Sequence, residues 1–269
     1  MMRTCRLASL SALLIFSFTT PVSAEQTTLT IPALSPVEYY APSNESLEFL
    51  TGQFSPAKHP NFVRLGSNYS SRSNMYLQKE AYEAFKAMYK AAKKDGVRLV
   101  IRSAARNFNT QRTIWEGKWN GKRKVGGVLN IDKKIPDPVK RALKILEYSS
   151  MPGSSRHHWG TEIDLNSFDN KWFTSGKGKK LYQWLEQNAA RFGYCQPYTA
   201  KGPDGRGSGY NEERWHWSYT PLAGPYTEQA AQQLRSDMIR GFKGGKTAES
   251  VKIVEHYVLG INPACRIAP

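Results

Sequence analysis

The sequence has few long apolar runs, few cysteines, few histidines and few acidic residues for its 269 positions. Beyond residue 24, no segment approaches the roughly 18 consecutive apolar residues of a membrane-spanning helix, which excludes a membrane-embedded body. Histidine occurs five times and cysteine three times, so candidates for metal ligation or disulfide bonding are limited. We find no internal repeat, which excludes a repeat architecture.

Residues 1–24 have the pattern of a cleavable export signal. Arg3 and Arg6 precede the apolar run LASLSALLIFSF, and the small residues VSA predict cleavage after Ala24. Cys5 lies before the apolar run and not at the cleavage point, so no lipoprotein anchor is expected. The mature protein is expected in the periplasm, although the same signal fits secretion. The alternative is a buried N-terminal helix.

The scarcity of acidic residues makes the chain strongly basic. Lys and Arg number 38 against 22 Asp and Glu, a net charge of +16, and removing two signal arginines leaves 16 − 2 = +14. A protein with this charge is expected to work near an anionic polymer. Outside the cytoplasm, cell-wall material fits better than nucleic acid, so no nucleic-acid partner is expected. The alternative is a generally cationic surface with no specific partner.

Two cysteines, Cys195 and Cys265, remain after the predicted cleavage. An even number in an oxidising compartment predicts a disulfide. Closing a loop of about 70 residues would contribute roughly 4 kcal/mol in the chain-entropy model. The alternative is two buried free thiols.

Few strands are predicted among several helices, without a repeated strand–helix rhythm, which indicates an α+β fold around a small antiparallel sheet. Residues 25–70, rich in Pro, Ser and Asn, are expected to form an irregular arm laid on a domain over 71–269, or a flexible lead-in to it. Residues 117–137 are expected to form a basic surface loop, and a helical extension is expected to begin at about 221.

The predicted helices are 77–96, one beginning after Asn107 or Asn109, 137–149, 178–193, 226–241 and 247–259. The predicted strands are 97–104, 161–166 and 214–220.

The segment SSRHHWGTEIDLN suggests a metal site. The alternation of polar and apolar residues over 161–166 predicts a half-buried strand, on which Glu162 and Asp164 share one face while the intervening residue points into the core. Gly160 permits a sharp turn that folds His157 back toward Asp164. Neutral imidazole and carboxylate are ligands that Zn²⁺ prefers. The alternative is an ordinary polar turn into a strand.

A third ligand is available in the segment NEERWHWSY, where His216 lies on a short predicted strand between two tryptophans. Glu213 precedes it by three residues, so on a continuous strand the two side chains would point to opposite faces. If the chain turns between them, Glu213 can act as a general base without ligating the metal.

Three sequence blocks resemble a known family. SRHHWGTEID matches the pattern S-x-H-x-x-G-x-x-x-D, ERWHW matches E-x-W-H, and SAARNFNTQ matches S-x-x-R-x-x-x-x-Q, in order and at similar spacing. The sequence therefore resembles the VanY-like D-alanyl-D-alanine carboxypeptidases, which belong to a wider group of zinc peptidases that includes lysostaphin and the hedgehog signalling domain. The resemblance covers roughly residues 75–220.

The resemblance implies a role for each matching residue. His157, Asp164 and His216 would bind Zn²⁺. Glu213 would move the proton from water to the leaving amine, and Arg106 would stabilise the oxyanion or hold a substrate carboxylate. The expected substrate-binding residues are Ser103, Gln111, Ser155 and Trp217, with Trp159 also near the cleft.

The implied activity is that of a zinc-dependent D,D-carboxypeptidase that removes the terminal D-Ala from peptidoglycan stem peptides. One alternative is a D,D- or L,D-endopeptidase that cuts cross-links. Another is a non-catalytic wall-binding module stabilised by zinc. The expected partner is the stem peptide, and the mature protein is expected to be a monomer without a membrane anchor.

Glu162 departs from the family, which usually has a small residue at this position. Its carboxylate would orient a ligand, meet a substrate amine, or be a solvated strand position; the sequence leaves these open. For His158, next to a predicted ligand, we expect packing or a supporting hydrogen bond.

Overall fold

The computed structural model describes residues 45–202 and 206–266. The predicted export signal at 1–24 and residues 25–44 of the predicted arm lie outside this part. Within it, no helix combines the length and apolar character needed to cross a bilayer. The helices are α1 Leu47–Leu50, α2 Lys79–Lys94, α3 Phe108–Trp119, α4 Ile131–Lys134, α5 Pro138–Ile145, α6 Gly176–Asn188 and α7 Thr220–Gln233, and the strands are β1 Phe62–Arg64, β2 Tyr76–Gln78, β3 Ile101–Ser103, β4 Glu162–Leu165, β5 Tyr194–Cys195 and β6 His216–Tyr219.

Two antiparallel sheets confirm the predicted α+β class. β1 pairs with β2, and a four-stranded sheet has the order β3-β4-β6-β5. In this sheet Asp164 lies opposite Ser103 on one side and opposite His216 on the other. The register therefore places three predicted site residues in one row across three strands.

The two faces of the four-stranded sheet differ sharply. Ile163, Leu165 and Trp217 belong to a core cluster that also contains buried residues of α2 and α6. Because strand residues alternate between faces, Glu162, Asp164 and His216 point the other way. We call these the apolar face and the polar face. A second core cluster packs side chains of α1, α3, α5 and α7 with the C-terminal segment.

Several predicted helix ends are present for the expected reasons. The Asn107 side chain caps α3 by accepting a hydrogen bond from the backbone N–H of Thr110 at 2.9 Å. Asp137 caps α5, with Pro138 at its first position. The helix predicted over 178–193 is α6 followed by a 3₁₀ turn, and Gly193, at φ 74°, ends that turn.

The strand predicted to be half-buried is buried at all four positions of β4. The prediction was wrong because β4 lies between two other strands, and its polar face is covered by charged partners. The strand predicted over 97–104 forms regular structure only over Ile101–Ser103.

The predicted C-terminal helices are only partly present. α7 begins six residues earlier than predicted and ends at Gln233. The following chain contains short 3₁₀ turns and a π-helical turn over Val254–Val258 in place of an α-helix over 247–259. Ile239, Val251 and Ile253 are buried in this irregular stretch, so tertiary packing overrides its helical pattern.

The described part of the predicted arm is packed against the body. Phe49, Leu50 and Phe62 are buried and belong to the core cluster with α3 and α7. The predicted surface loop at 117–137 includes the short helix α4, whose first residue, Ile131, is buried.

A disulfide joins Cys195 to Cys265, as predicted. It ties the C-terminal segment to β5 at the edge of the sheet.

Candidate active site

Three side chains from separate parts of the chain meet at one point. The potential ligand atoms of His157, Asp164 and His216 all lie within 4.8 Å of one another, and all three residues are buried. Asp164 comes from β4 and His216 from the facing position of β6. His157 lies in a 3₁₀ turn that ends at Gly160, whose φ of 70° is the positive value that a glycine tolerates.

Hydrogen bonds fix which nitrogen each imidazole presents. His157 Nδ1 lies 2.9 Å from the carbonyl oxygen of Ala104, so its Nδ1–H donates there and Nε2 faces Asp164 Oδ2 at 3.3 Å. His216 Nε2–H donates to Glu162 at 2.7 Å, which leaves Nδ1 facing Asp164 Oδ1 at 3.1 Å. Nε2 of His157, Nδ1 of His216 and the carboxylate of Asp164 therefore point to a common centre.

The charges at this centre suit a divalent cation. Burial, reinforced by the nearby Arg106, lowers the pKa of His157 to about 4, so the ring is neutral as a metal ligand must be. Burial opposes ionisation of Asp164, but His157 and His216 hold its pKa well below the usual value. Although burial disfavours a charged His216, contact with Asp164, Glu162 and Glu213 raises its pKa well above normal. Three carboxylates favour a positive charge at this point. Two imidazoles and one carboxylate are also ligands that Zn²⁺ prefers.

Glu213 lies beside the three potential ligands and outside their set. The chain turns at residues 214–215, and the His216 N–H donates to the Glu213 carbonyl at 3.2 Å. This turn brings Glu213 Oε2 to 3.4 Å from His216 Nδ1. Burial raises the pKa of the Glu213 carboxyl. The predicted turn is present, and the carboxylate has the position and basicity that a proton carrier needs.

Arg106 lies on the other side of the centre. Its Nη1 is 3.6 Å from Asp164 Oδ2 and donates to Ser103 Oγ at 2.7 Å. Its backbone N–H donates to the His157 carbonyl at 3.1 Å, which locks the arginine segment to the histidine turn. Ser103 thus holds the guanidinium in place.

His158 is fully buried and points away from the centre. Its Nδ1–H donates to the carbonyl of Arg106 at 2.5 Å, and its Nε2 accepts from the N–H of Gly153 at 3.1 Å. Burial lowers the pKa of His158 to about 3, which keeps the ring neutral for this bridge. The predicted supporting hydrogen bond is confirmed.

Glu162 is fully buried and is no solvated strand position. Besides His216, it accepts a hydrogen bond from Ser218 Oγ at 2.6 Å and pairs with Arg156 at 3.3 Å. Arg156 in turn donates to Thr227 of α7 at 2.7 Å. Burial opposes ionisation of Glu162, but Arg156 and the hydrogen bond from His216 lower the pKa of this carboxyl to about 2. Glu162 is therefore an anionic hydrogen-bond acceptor behind His216.

A cavity of about 810 Å³ opens over this centre. Of the predicted substrate-binding residues, Gln111 lies on its wall and donates to the Ser150 carbonyl at 2.7 Å. Ser103 contacts Arg106 and Ser155 is buried, so the structure places neither on the wall. Trp217 packs into the core behind the apolar face, and Trp159 into the other core cluster.

Sequence reasoning missed several residues of the cavity wall. These are Ile114, Lys118, Arg123, Tyr148, Phe168, Lys171, Tyr198, Tyr210 and Trp215. The error at Trp217 was avoidable: since side chains alternate across β6, Trp217 had to face away from the potential ligand His216. The missed wall residues lie on α3 and in loops, and they carry no such signal.

The chain is similar to known peptidases. The family model described as VanY, D-alanyl-D-alanine carboxypeptidase, matches residues 74–222, just over half of the chain. The putative carboxypeptidase YodJ of Bacillus subtilis is 27% identical over 150 residues, which cover 54% of this chain and 46% of that protein. A D-alanyl-D-alanine carboxypeptidase of Enterococcus faecalis is 28% identical over 136 residues, covering 50% of this chain and 45% of that protein. The chain spans about half the length of these relatives.

Solved structures are similar more distantly. The vancomycin-resistance D,D-pentapeptidase VanY, in complex with Zn(II), has a TM-score of 0.46 and 20% identity, over 65% of this chain and 86% of its own. The LD-carboxypeptidase LdcB has a TM-score of 0.46 and 22% identity, over 65% and 74%. Both TM-scores are below 0.5, so the sequence match carries the family relationship.

Proposed function

The chain belongs to the VanY family of D-alanyl-D-alanine carboxypeptidases, and from that premise we propose that it is a zinc-dependent D,D-carboxypeptidase. Its substrate would be a peptidoglycan stem peptide, from which it releases the terminal D-Ala. The observation that carries the proposal is the convergence of His157, Asp164 and His216 on one buried point, with Glu213 beside it.

His157, Asp164 and His216 would hold the zinc ion, which when bound polarises the scissile carbonyl and acidifies water. The hydrogen bonds of His157 to Ala104 and of His216 to Glu162 keep both rings in the orientation that ligation requires. Zinc needs deprotonated ligands, and the low pKa values of His157 and Asp164 supply two of them.

Glu213 would accept the proton of the attacking water and pass it to the leaving amine. Burial raises its pKa, which brings the carboxylate closer to the value that suits both steps near neutral pH. Arg106, fixed by Ser103, would donate hydrogen bonds to the developing oxyanion. The presence of both residues at the centre supports an enzyme over a non-catalytic wall-binding module.

The expected cellular site is outside the cytoplasm. The predicted export signal, the excess of Lys and Arg over Asp and Glu, and the Cys195–Cys265 disulfide all suit a protein that acts on an anionic wall in an oxidising compartment.

The test is digestion of purified stem pentapeptide and of a cross-linked stem-peptide dimer, each with zinc-loaded protein. Release of free D-Ala from the pentapeptide with the dimer intact is the expected result. Cleavage of the dimer alone would favour the endopeptidase, and no cleavage of either peptide would contradict an enzymatic function.

A further inference from the structure

One face of α3 forms part of the cavity wall. Gln111, Ile114 and Lys118 are spaced by three and four residues, so they lie on the same side of the helix, and all three line the cavity. Arg106 lines it just before the helix begins. The helix therefore runs along the cavity, with Lys118 in its last turn.

Lys118 is a half-buried cation without an anionic partner. Its Nζ hydrogen-bonds to Ser149 Oγ, and no carboxylate lies within 4.0 Å of it in the part of the chain that the structure describes. A lysine in a last helical turn commonly extends into solvent, where it interacts with the helix dipole. Here burial lowers the pKa of Lys118 to about 8, so it is still mostly protonated near pH 7. An ammonium group in this position is expected to bind an anion.

A second cation lies next to Lys118. The backbone N–H of Arg123 donates to the Gly117 carbonyl at 2.8 Å. Its side chain lies so close to the helix that a Cβ at Gly117 would be 3.0 Å from Arg123 Cδ. Arg123 also lines the cavity. The end of α3 thus presents two positive groups to the same space.

The contacts around Lys118 indicate which end of the substrate it faces. Ser149, to which Lys118 hydrogen-bonds, follows Tyr148, and the Tyr148 ring lies 6.1 Å from that of Trp215 in the turn after Glu213. In the proposed mechanism Glu213 protonates the leaving amine. In a carboxypeptidase substrate the leaving residue also carries the free C-terminal carboxylate. A cation on the Glu213 side of the cavity is therefore placed for that carboxylate.

We propose that Lys118, with Arg123 beside it, binds the free C-terminal carboxylate of the substrate. This subsite would make the enzyme select peptides whose leaving residue carries a free carboxylate next to the amine over peptides in which that carboxylate is amidated or absent. The inference rests on the proposed function and adds the group that determines cleavage at the chain end.

The test compares zinc-loaded wild type with Lys118→Met on a stem pentapeptide and on its C-terminal amide. A charged hydrogen bond of about 1.5–3 kcal/mol corresponds to roughly a 10- to 100-fold loss of kcat/KM on the free acid, mainly through KM. The amide should be a poor substrate for both proteins, with little difference between them. Lys118→Arg keeps the positive charge, so it should retain part of the wild-type preference for the free acid over the amide. The control is Lys122→Met, an exposed lysine nearby that does not line the cavity.

Three outcomes would overturn the proposal. The first is an equal loss on acid and amide, which indicates a structural role for Lys118. The second is no loss on either peptide. The third is a loss confined to peptides with an additional side-chain carboxylate, which assigns Lys118 to that group instead.

Calorimetric binding separates this inference from the proposed function. If wild type releases no D-Ala from any peptide, the proposed function fails. The subsite then stands only if wild type binds the free acid at least 10-fold more tightly than Lys118→Met, with no such difference for the amide, and otherwise fails too.

Discussion

The apolar and polar faces of the four-stranded sheet are built from alternating residues of the same two strands. On the apolar face, Ile163 and Trp217 are buried among aliphatic and aromatic side chains. On the polar face, Asp164 and His216 are buried as deeply, but against charged partners.

The difference separates what stabilises the fold from what performs the chemistry. Burial of apolar side chains is favourable without a ligand. Buried carboxylates are costly unless they are paired or bind a metal. The apolar face should therefore determine stability, while the polar face should determine metal binding and turnover.

The largest effect is expected from Glu213→Gln on the polar face. The amide keeps the shape of the side chain but cannot carry a proton, so kcat should fall about 10²- to 10⁴-fold. Because Glu213 is not a ligand, zinc content should stay at the wild-type level. The assay is D-Ala release alongside elemental analysis. Turnover equal to wild type would contradict the role of Glu213.

Ile163→Ala on the apolar face is the converse change. Removing a fully buried side chain should lower the free energy of unfolding by about 2–5 kcal/mol. The folded variant should still bind zinc at the wild-type ratio. Urea denaturation and metal analysis at low temperature measure the two quantities. Loss of zinc from folded protein would show that the two faces are not separable in this way.

A smaller effect is expected from Glu162→Gln, which weakens the group behind His216. A neutral amide is a weaker acceptor for the His216 Nε2–H, so zinc affinity should fall about 10- to 100-fold. Competition with a chromogenic chelator measures the affinity. Unchanged affinity in a folded variant would remove Glu162 from the support of the metal site.

Sequence reasoning was most successful where the signal is local. The Asn107 cap, Pro138 at the start of α5 and Gly193 after α6 each follow from the conformational preference of one residue. The convergence of the three potential ligands came from motif spacing and strand alternation. Their roles as zinc ligands remain a prediction.

The parts that failed depend on contacts between distant segments. The burial of Glu162 required knowing that Arg156 and Ser218 lie around it. The irregular path of the chain after α7 follows from packing against other helices, which overrides a helical pattern. Lys118 belongs to a basic segment, and only the fold turns its side chain into the cavity.

Zinc stoichiometry tests the central claim most directly. Elemental analysis of dialysed protein should give one zinc per chain for wild type and close to none for His216→Ala. The exposed His256→Ala, far from the centre in sequence and outside the cavity wall, should retain the wild-type ratio. A wild-type protein without zinc, or a His216→Ala variant that keeps it, would contradict the account.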